Sequence, residues 1–279
     1  MEVKKLIMLY GHKERNNYKD IIMFFSMDNK RGQLAIFVII ALVIIAVILV
    51  LFLYPKIGPE TAGEELSPET YLKKCIEPTF IPTMTQLSRN GGYFNPEGAL
   101  DYKGEKIKYL CYTREYYTTC VIQQPMIKEH YEKELKEILD PKAKECVQSL
   151  KEQYEKSGYK VTGGQAEINI SLLPKRIILS FIAPMTISKE NTRNFNQVNI
   201  EMKSELYDLL MITTSILDYE SMLGDSEITA YSAYYPDLII KKDKLSEGSK
   251  VYTLKNVVTN ESFRFASRSL SWPPGGYTI

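Results

Sequence analysis

The sequence predicts an α+β protein in which a single N-terminal transmembrane helix precedes an ectodomain of helices packed on a mainly antiparallel sheet. Three observations carry that prediction. Leu34 to Tyr54 is one apolar run of 21 residues without charge, Gly or Pro. Beyond residue 67, apolar residues recur at helical spacing in some stretches and at every second position in others, without regular strand–helix alternation. All four cysteines, Cys75, Cys111, Cys120 and Cys146, follow the apolar run.

As a helix rising about 1.5 Å per residue, the run would be about 31 Å long, close to the roughly 30 Å hydrocarbon core of a bilayer. A helix that is apolar on every face for this length is expected to sit in lipid, where its backbone pairs internally. The flanks orient it. Residues 1–33 carry seven Lys and Arg against four Asp and Glu, +3, whereas Lys56 is followed by Glu60, Glu64, Glu65 and Glu69. The positive-inside rule then places residues 1–33 in the cytoplasm, 34–54 across the cell membrane and everything beyond outside. The run is longer than a cleaved signal core, so it is expected to stay as an anchor. The bilayer is thus the first expected partner, through residues 34–54. Met27, followed by Asp28-Asn29-Lys30-Arg31, is a candidate initiator.

Lys30-Arg31-Gly32-Gln33 directly before the apolar run resembles archaeal pilin-type (class III) signal sequences. That resemblance implies processing between Gly32 and Gln33 with the apolar helix retained, and a subunit that packs into a filament. Many pilins of this class carry Glu at the fifth mature position; Phe37 stands there in this chain. The same basic-Gly-Gln start with an Ile/Val-rich span is also similar to uncharacterised membrane-anchored proteins of small-genome archaea, which implies an anchor and no particular activity. Read without the resemblance, Lys30 and Arg31 are topogenic charges.

Residues 55–67 hold Pro, Gly and acidic residues without apolar period and read as a stalk. The domain of residues 68–279 then opens on a helix: Ser67 as N-cap, Pro68 at N1, Glu69 in the first turn, with apolar positions continuing towards Leu87. Pro78 and Pro82 are expected to kink or break it, and Gly91-Gly92 to end it. Residues 93–124 read as short strands and turns. Ile127, Tyr131, Leu135 and Ile138 predict a helix, restarted at Asp140-Pro141 and carried by Ala143, Cys146, Val147, Leu150 and Tyr154 to Gly158. Ile168, Ile170 and Leu172 alternate with polar residues, predicting a strand. Residues 176–187 form a second, more apolar strand, and 195–202 a third. Leu206, Leu209, Leu210, Thr213, Ile216 and Leu217 place one apolar stripe on a helix over 204–223. Residues 228–234, 238–242, 250–254 and 262–267 are expected strands.

Four cysteines confined to the external side suggest disulfides, and three connectivities are open. Cys111 with Cys120 would close a hairpin around Tyr116-Tyr117, leaving Cys75 with Cys146 to tie two helices. Buried free thiols and a zinc site are the competing readings, zinc the weaker because no C-x-x-C spacing occurs.

The composition excludes several functions. At 44% hydrophobic residues the chain of 279 is too apolar for disorder. Its net charge of +1 lacks the basic surplus of a nucleic-acid binder, so no nucleic-acid partner is expected. Only His12 and His130 are present, and no P-loop, G-x-S-x-G, H-E-x-x-H or G-x-G-x-x-G occurs. No catalytic residue, metal or cofactor is assigned. Tyrosines are the exception to this plain surface. Tyr109, Tyr112, Tyr116 and Tyr117 form one sequence cluster, and Tyr231, Tyr234 and Tyr235 a second; tyrosine supplies large contact area with a polar tip, so both are candidate binding surfaces. Asn169-Ile-Ser171 and Asn260-Glu-Ser262 are sequons that an external location would open to glycosylation. The expectation is a membrane-anchored extracytoplasmic interaction or structural module, binding a surface or envelope partner or itself. A pilin-like filament subunit and a membrane-tethered envelope hydrolase, the latter resting on the many carboxylates, are the alternatives.

Overall fold

The computed structural model describes residues 33–53 and 67–273. Lys30, Arg31 and Gly32, the Met27 start and nearly all of the stalk lie outside the described residues. Two compact units divide at Glu64/Glu65.

The first contains one described element, helix α1 (Gln33–Leu53). Its side chains are described at Phe37 and at residues 39–48, and every one of them is exposed. Those described side chains span only residues 37–48, and among the described residues no helix is long and apolar enough to cross a membrane.

The second unit is α+β, with four helices and two sheets among the described residues. Helix α2 (Pro68–Arg89) is unbroken. It corrects the expected break: Pro78 and Pro82 both lie on its exposed side, so the carbonyls their missing N–H groups free can turn to water. Leu72, Ile76, Phe80, Thr83 and Leu87 meanwhile keep one buried stripe across both prolines. Ser67 stands at the N-cap, yet its hydroxyl caps nothing; its carbonyl accepts from Tyr71 N.

Strands β1 (Ala99–Tyr102), β2 (Glu105–Tyr112) and β3 (Val121–Ile122) follow. Helix α3 (Ile127–Lys156) then runs straight through Pro141, where two helices are expected from the sequence. The reason is the same. Pro141 is exposed, while Tyr131, Leu135, Leu139, Ala143, Cys146 and Leu150 bury a stripe that continues past it. Gly158, at φ +82°, ends the helix.

Sheet two comes next: β4 (Lys160–Gly163), β5 (Glu167–Leu173), β6 (Arg176–Ser188) and β7 (Thr192–Lys203). All its pairs are antiparallel. β6 is central, with β7 along one edge and β5 and β4 end to end along the other. Ile168, Ile170 and Leu172 on β5, with Ile177, Leu179, Phe181, Met185 and Ile187 on β6, face the core at every second position.

Helix α4 (Leu206–Leu223) returns the chain to sheet one, and α5 (Thr229–Tyr234) occupies the stretch expected as a strand. That stretch has no buried residue, and a short helix packed on β8 needs no alternating pattern. β8 (Leu238–Lys244), β9 (Ser249–Asn256) and β10 (Ser262–Arg268) complete sheet one in the order β1-β2-β10-β9-β8, with β3 also on β2. The β2–β10 pair is parallel and the rest antiparallel, so the strands are mainly antiparallel as expected, but they are divided between two sheets, one of them mixed, where one was expected.

Helices α2, α3 and α4 and the inner faces of both sheets share one continuous apolar core. Cys75–Cys146 bonds α2 to α3, and Cys111–Cys120 closes the β2–β3 hairpin, which is the pairing the hairpin spacing favours. Several turns further along the same helix pair, Tyr131 donates to the Met84 carbonyl at 2.7 Å and shares a 2.9 Å bond with Ser88 Oγ.

Candidate functional site

The Cys111–Cys120 hairpin carries residues 113–119 as a loop, and that loop is sewn to the chain leaving β10. Thr113 N donates to the Arg268 carbonyl, Leu270 N to that of Thr118 and Tyr117 N to that of Ser271. Cys120 N donates to Ser269 Oγ at 2.9 Å. Arg268 bonds back to the Thr113 carbonyl and lies over the Tyr116 ring at 5.3 Å.

Two bulky residues are held left-handed where these strips meet: Tyr117 at φ +59° and Leu270 at φ +47°. Such conformations cost of order 1–3 kcal/mol and persist only when the surroundings over-determine them. Here the disulfide and the backbone bonds do so. The result is a fixed aromatic corner. Tyr117 is 57% exposed, Trp272 is 45% exposed, and their rings meet edge to face at 4.9 Å.

Trp272 also lines a cleft of about 450 Å³. Its walls come from the α4–α5 turn (Gly224, Asp225), the β8–β9 turn (Lys244 to Lys250) and the segment from Ser269 to Pro273. Gly224 is the left-handed C-cap of α4, at φ +80°, and a Cβ there would fall 1.9 Å from Leu270 Cδ1. Glycine is thus what lets the helix end against this wall.

A buried charge network stands behind the cleft. Glu220, fully buried on α4, takes Lys250 Nζ at 3.0 Å on each oxygen, Tyr252 OH at 2.5 Å and Ser267 Oγ at 2.7 Å. Lys250 also donates to the Gly224 carbonyl. Asp225 extends the network towards the surface, with Lys244 at 2.9 Å, Lys242 at 3.0 Å and Lys250 at 3.3 Å. Burial alone would raise the Asp225 pKa, but the bonds from Lys244 and Lys242, with the Lys250 charge, hold it far below the usual carboxylate range. Burial, reinforced by the Glu220 charge, pushes the Tyr252 phenol well above its ordinary value, so it stays a donor.

Comparison with protein-family models, with curated proteins and with solved structures finds no match to this chain.

The remaining sequence candidates fall in different places. The two tyrosine clusters are not one surface: the first sits on β2 and its loop, the second on α5 beside β8, at the far side of the sheet. Tyr109 and Tyr112 are half-buried with rings 4.9 Å apart, and Tyr109 bonds Ser249 Oγ. Tyr231 is half-buried on Ser215 Oγ, while Tyr234 and Tyr235 are exposed. Asn169 is exposed, and its Oδ1 accepts from Lys136 at 2.7 Å; Asn260 is exposed in the β9–β10 turn at φ +62°. His130 lies against Tyr93 at 4.0 Å and Glu134 at 4.0 Å. Among the described residues no group of His, Cys, Asp and Glu is arranged to hold a metal ion. A larger open groove between α3 and the β4–β5 gap has its lysines engaged in pairs, Lys136–Glu167 and Lys144–Asp140 among them.

Sequence reasoning missed Glu220, Lys250 and Trp272. One signal was available for Glu220. The apolar stripe Thr213, Ile216, Leu217 continues at helical spacing onto position 220, so a carboxylate there lands on the buried face. Nothing local marks Lys250 or Trp272, whose partners are distant in sequence.

Proposed function

We propose that the chain is a membrane-anchored recognition module, with residues 67–273 outside the cytoplasm and α1 across the bilayer. The fixed, exposed aromatic corner of Tyr117 and Trp272 at the mouth of a cleft carries the recognition reading. Aromatic side chains held rigid lose little entropy on contact, and loops on a stiff scaffold are where binding concentrates. The anchor reading rests on α1, whose described side chains are apolar and exposed on every side, a surface that water disfavours. The outside location draws support from the two disulfides, which persist in oxidising compartments.

Protease shaving tests the placement. In intact cells making the full chain with an N-terminal epitope, added impermeant protease should remove residues beyond 67 and leave the epitope with the membrane. Protection of the domain until lysis, or recovery of the whole chain without membranes, would defeat the proposal.

A further inference from the structure

We infer that the cleft beside Trp272 binds a neutral saccharide, an inference that rests on the recognition reading and names its ligand class. The walls set the chemistry. Trp272 offers an exposed ring at the mouth, with Leu270 and Leu245 beside it. The same cleft is also lined by the Asp225–Lys244 ion pair and by Ser246 and Ser271. An apolar ligand would strip water from that ion pair and leave it unmatched. An anion finds both ammoniums of the cleft already engaged, Lys244 by Asp225, and Lys250 by Glu220 and the Gly224 carbonyl. A ligand with one flat face of C–H groups and a rim of hydroxyls matches both the apolar and the polar lining, and pyranose rings have that construction. Their C–H face packs on an indole. Their vicinal hydroxyls can donate to a carboxylate and accept from an ammonium.

Ser271 is a second, independent sign. It lines the cleft and is 1% exposed, and its Oγ has no hydrogen-bond partner in the protein. Buried hydroxyls are almost always paired, so an unpaired one in a cleft wall marks a place where a ligand or water is expected to complete the bond. The volume, about 450 Å³, lies within the roughly 300–1,000 Å³ typical of small-ligand sites.

Trp272 is the one tryptophan of the chain, so its emission reports on the cleft alone. The full chain in a sugar-free polyoxyethylene detergent would be titrated with maltotriose, cellotriose, mannotriose and triacetylchitotriose. Saturation-transfer NMR would be run in parallel. The expected result is a saturable emission shift with at least one trisaccharide and transfer to its ring protons. Trp272→Ala should weaken binding by NMR about tenfold or more, Trp272→Phe should restore part of it, and Lys244→Gln should weaken it about tenfold. Circular dichroism of each variant checks that the domain stays folded. No saturable response to any of the four sugars, or binding unchanged by Trp272→Ala, would overturn the inference. Either result would leave the outcome of protease shaving intact, so failure of the ligand class is separable from failure of the module.

Discussion

Glu220 and Lys250 form a buried ion pair in which both carboxylate oxygens lie 3.0 Å from one ammonium. Removing both charges from water costs several kcal/mol per ion, so the pair survives only because its other valences are filled. Tyr252 and Ser267 complete the carboxylate, and the Gly224 carbonyl completes the ammonium. The pair joins α4 to β9 directly beneath the cleft, which makes the position of the helix end, and so of Asp225, depend on it.

Glu220→Gln alone should therefore lower stability by about 3–5 kcal/mol, because it strands the Lys250 charge. Glu220→Gln combined with Lys250→Met should recover at least half of that loss. Urea unfolding of the two singles and the double measures it. A double variant no better than the Glu220 single would show that the pair is not what links these elements.

The two disulfides should differ in weight. Cys75–Cys146 closes a separation of 71 residues and Cys111–Cys120 one of 9. Chain entropy then assigns about 4 kcal/mol to the first and about 2–3 kcal/mol to the second. Paired Cys→Ala variants, compared by urea midpoint, should lose stability in that order. The shorter bridge should matter more for Trp272 emission, since it clamps the loop that bears Tyr117.

Alkaline titration should find two silent tyrosines. Burial raises the pKa of Tyr131, and burial with the Glu220 charge raises that of Tyr252. For a group whose pKa is raised on folding, the unfolded chain releases its proton first. The stabilisation is thus complete below the unfolded value near 10 and is lost as pH rises above it. Absorbance near 295 nm should show both phenols ionising only together with the loss of circular dichroism. Smooth ionisation of all tyrosines in the folded protein would contradict the burial of these two.

Gly224→Ala should destabilise the domain by at least about 1 kcal/mol, since it adds a left-handed Cβ penalty to a clash with the Leu270 side chain. Relief of that clash moves the segment that bears Trp272, so the emission maximum should shift as well. Gly104→Ala is the control: it also sits at positive φ, but a Cβ there meets nothing within 4 Å. An equal loss in both variants would mean that only backbone conformation matters, not the Leu270 contact.

Local pattern alone determined the apolar run at 34–54, the buried stripes of α2, α3 and α4, the alternation of β5 and β6, and the confinement of cysteines to one side of that run. Each is a property of neighbouring residues, since period and composition are written within about 20 positions. Tertiary structure decided the rest. Prolines 78, 82 and 141 fail to break their helices only because folding turns them outward, and a burial direction is not local. Residues 228–234 became a helix because they cover β8 instead of pairing with it. The meeting of Tyr117 with Trp272, and of Glu220 with Lys250, depends on β2 and β10 lying side by side and on α4 packing across them. Such contacts arise from sheet order and register, which distant segments settle jointly when they bury one core.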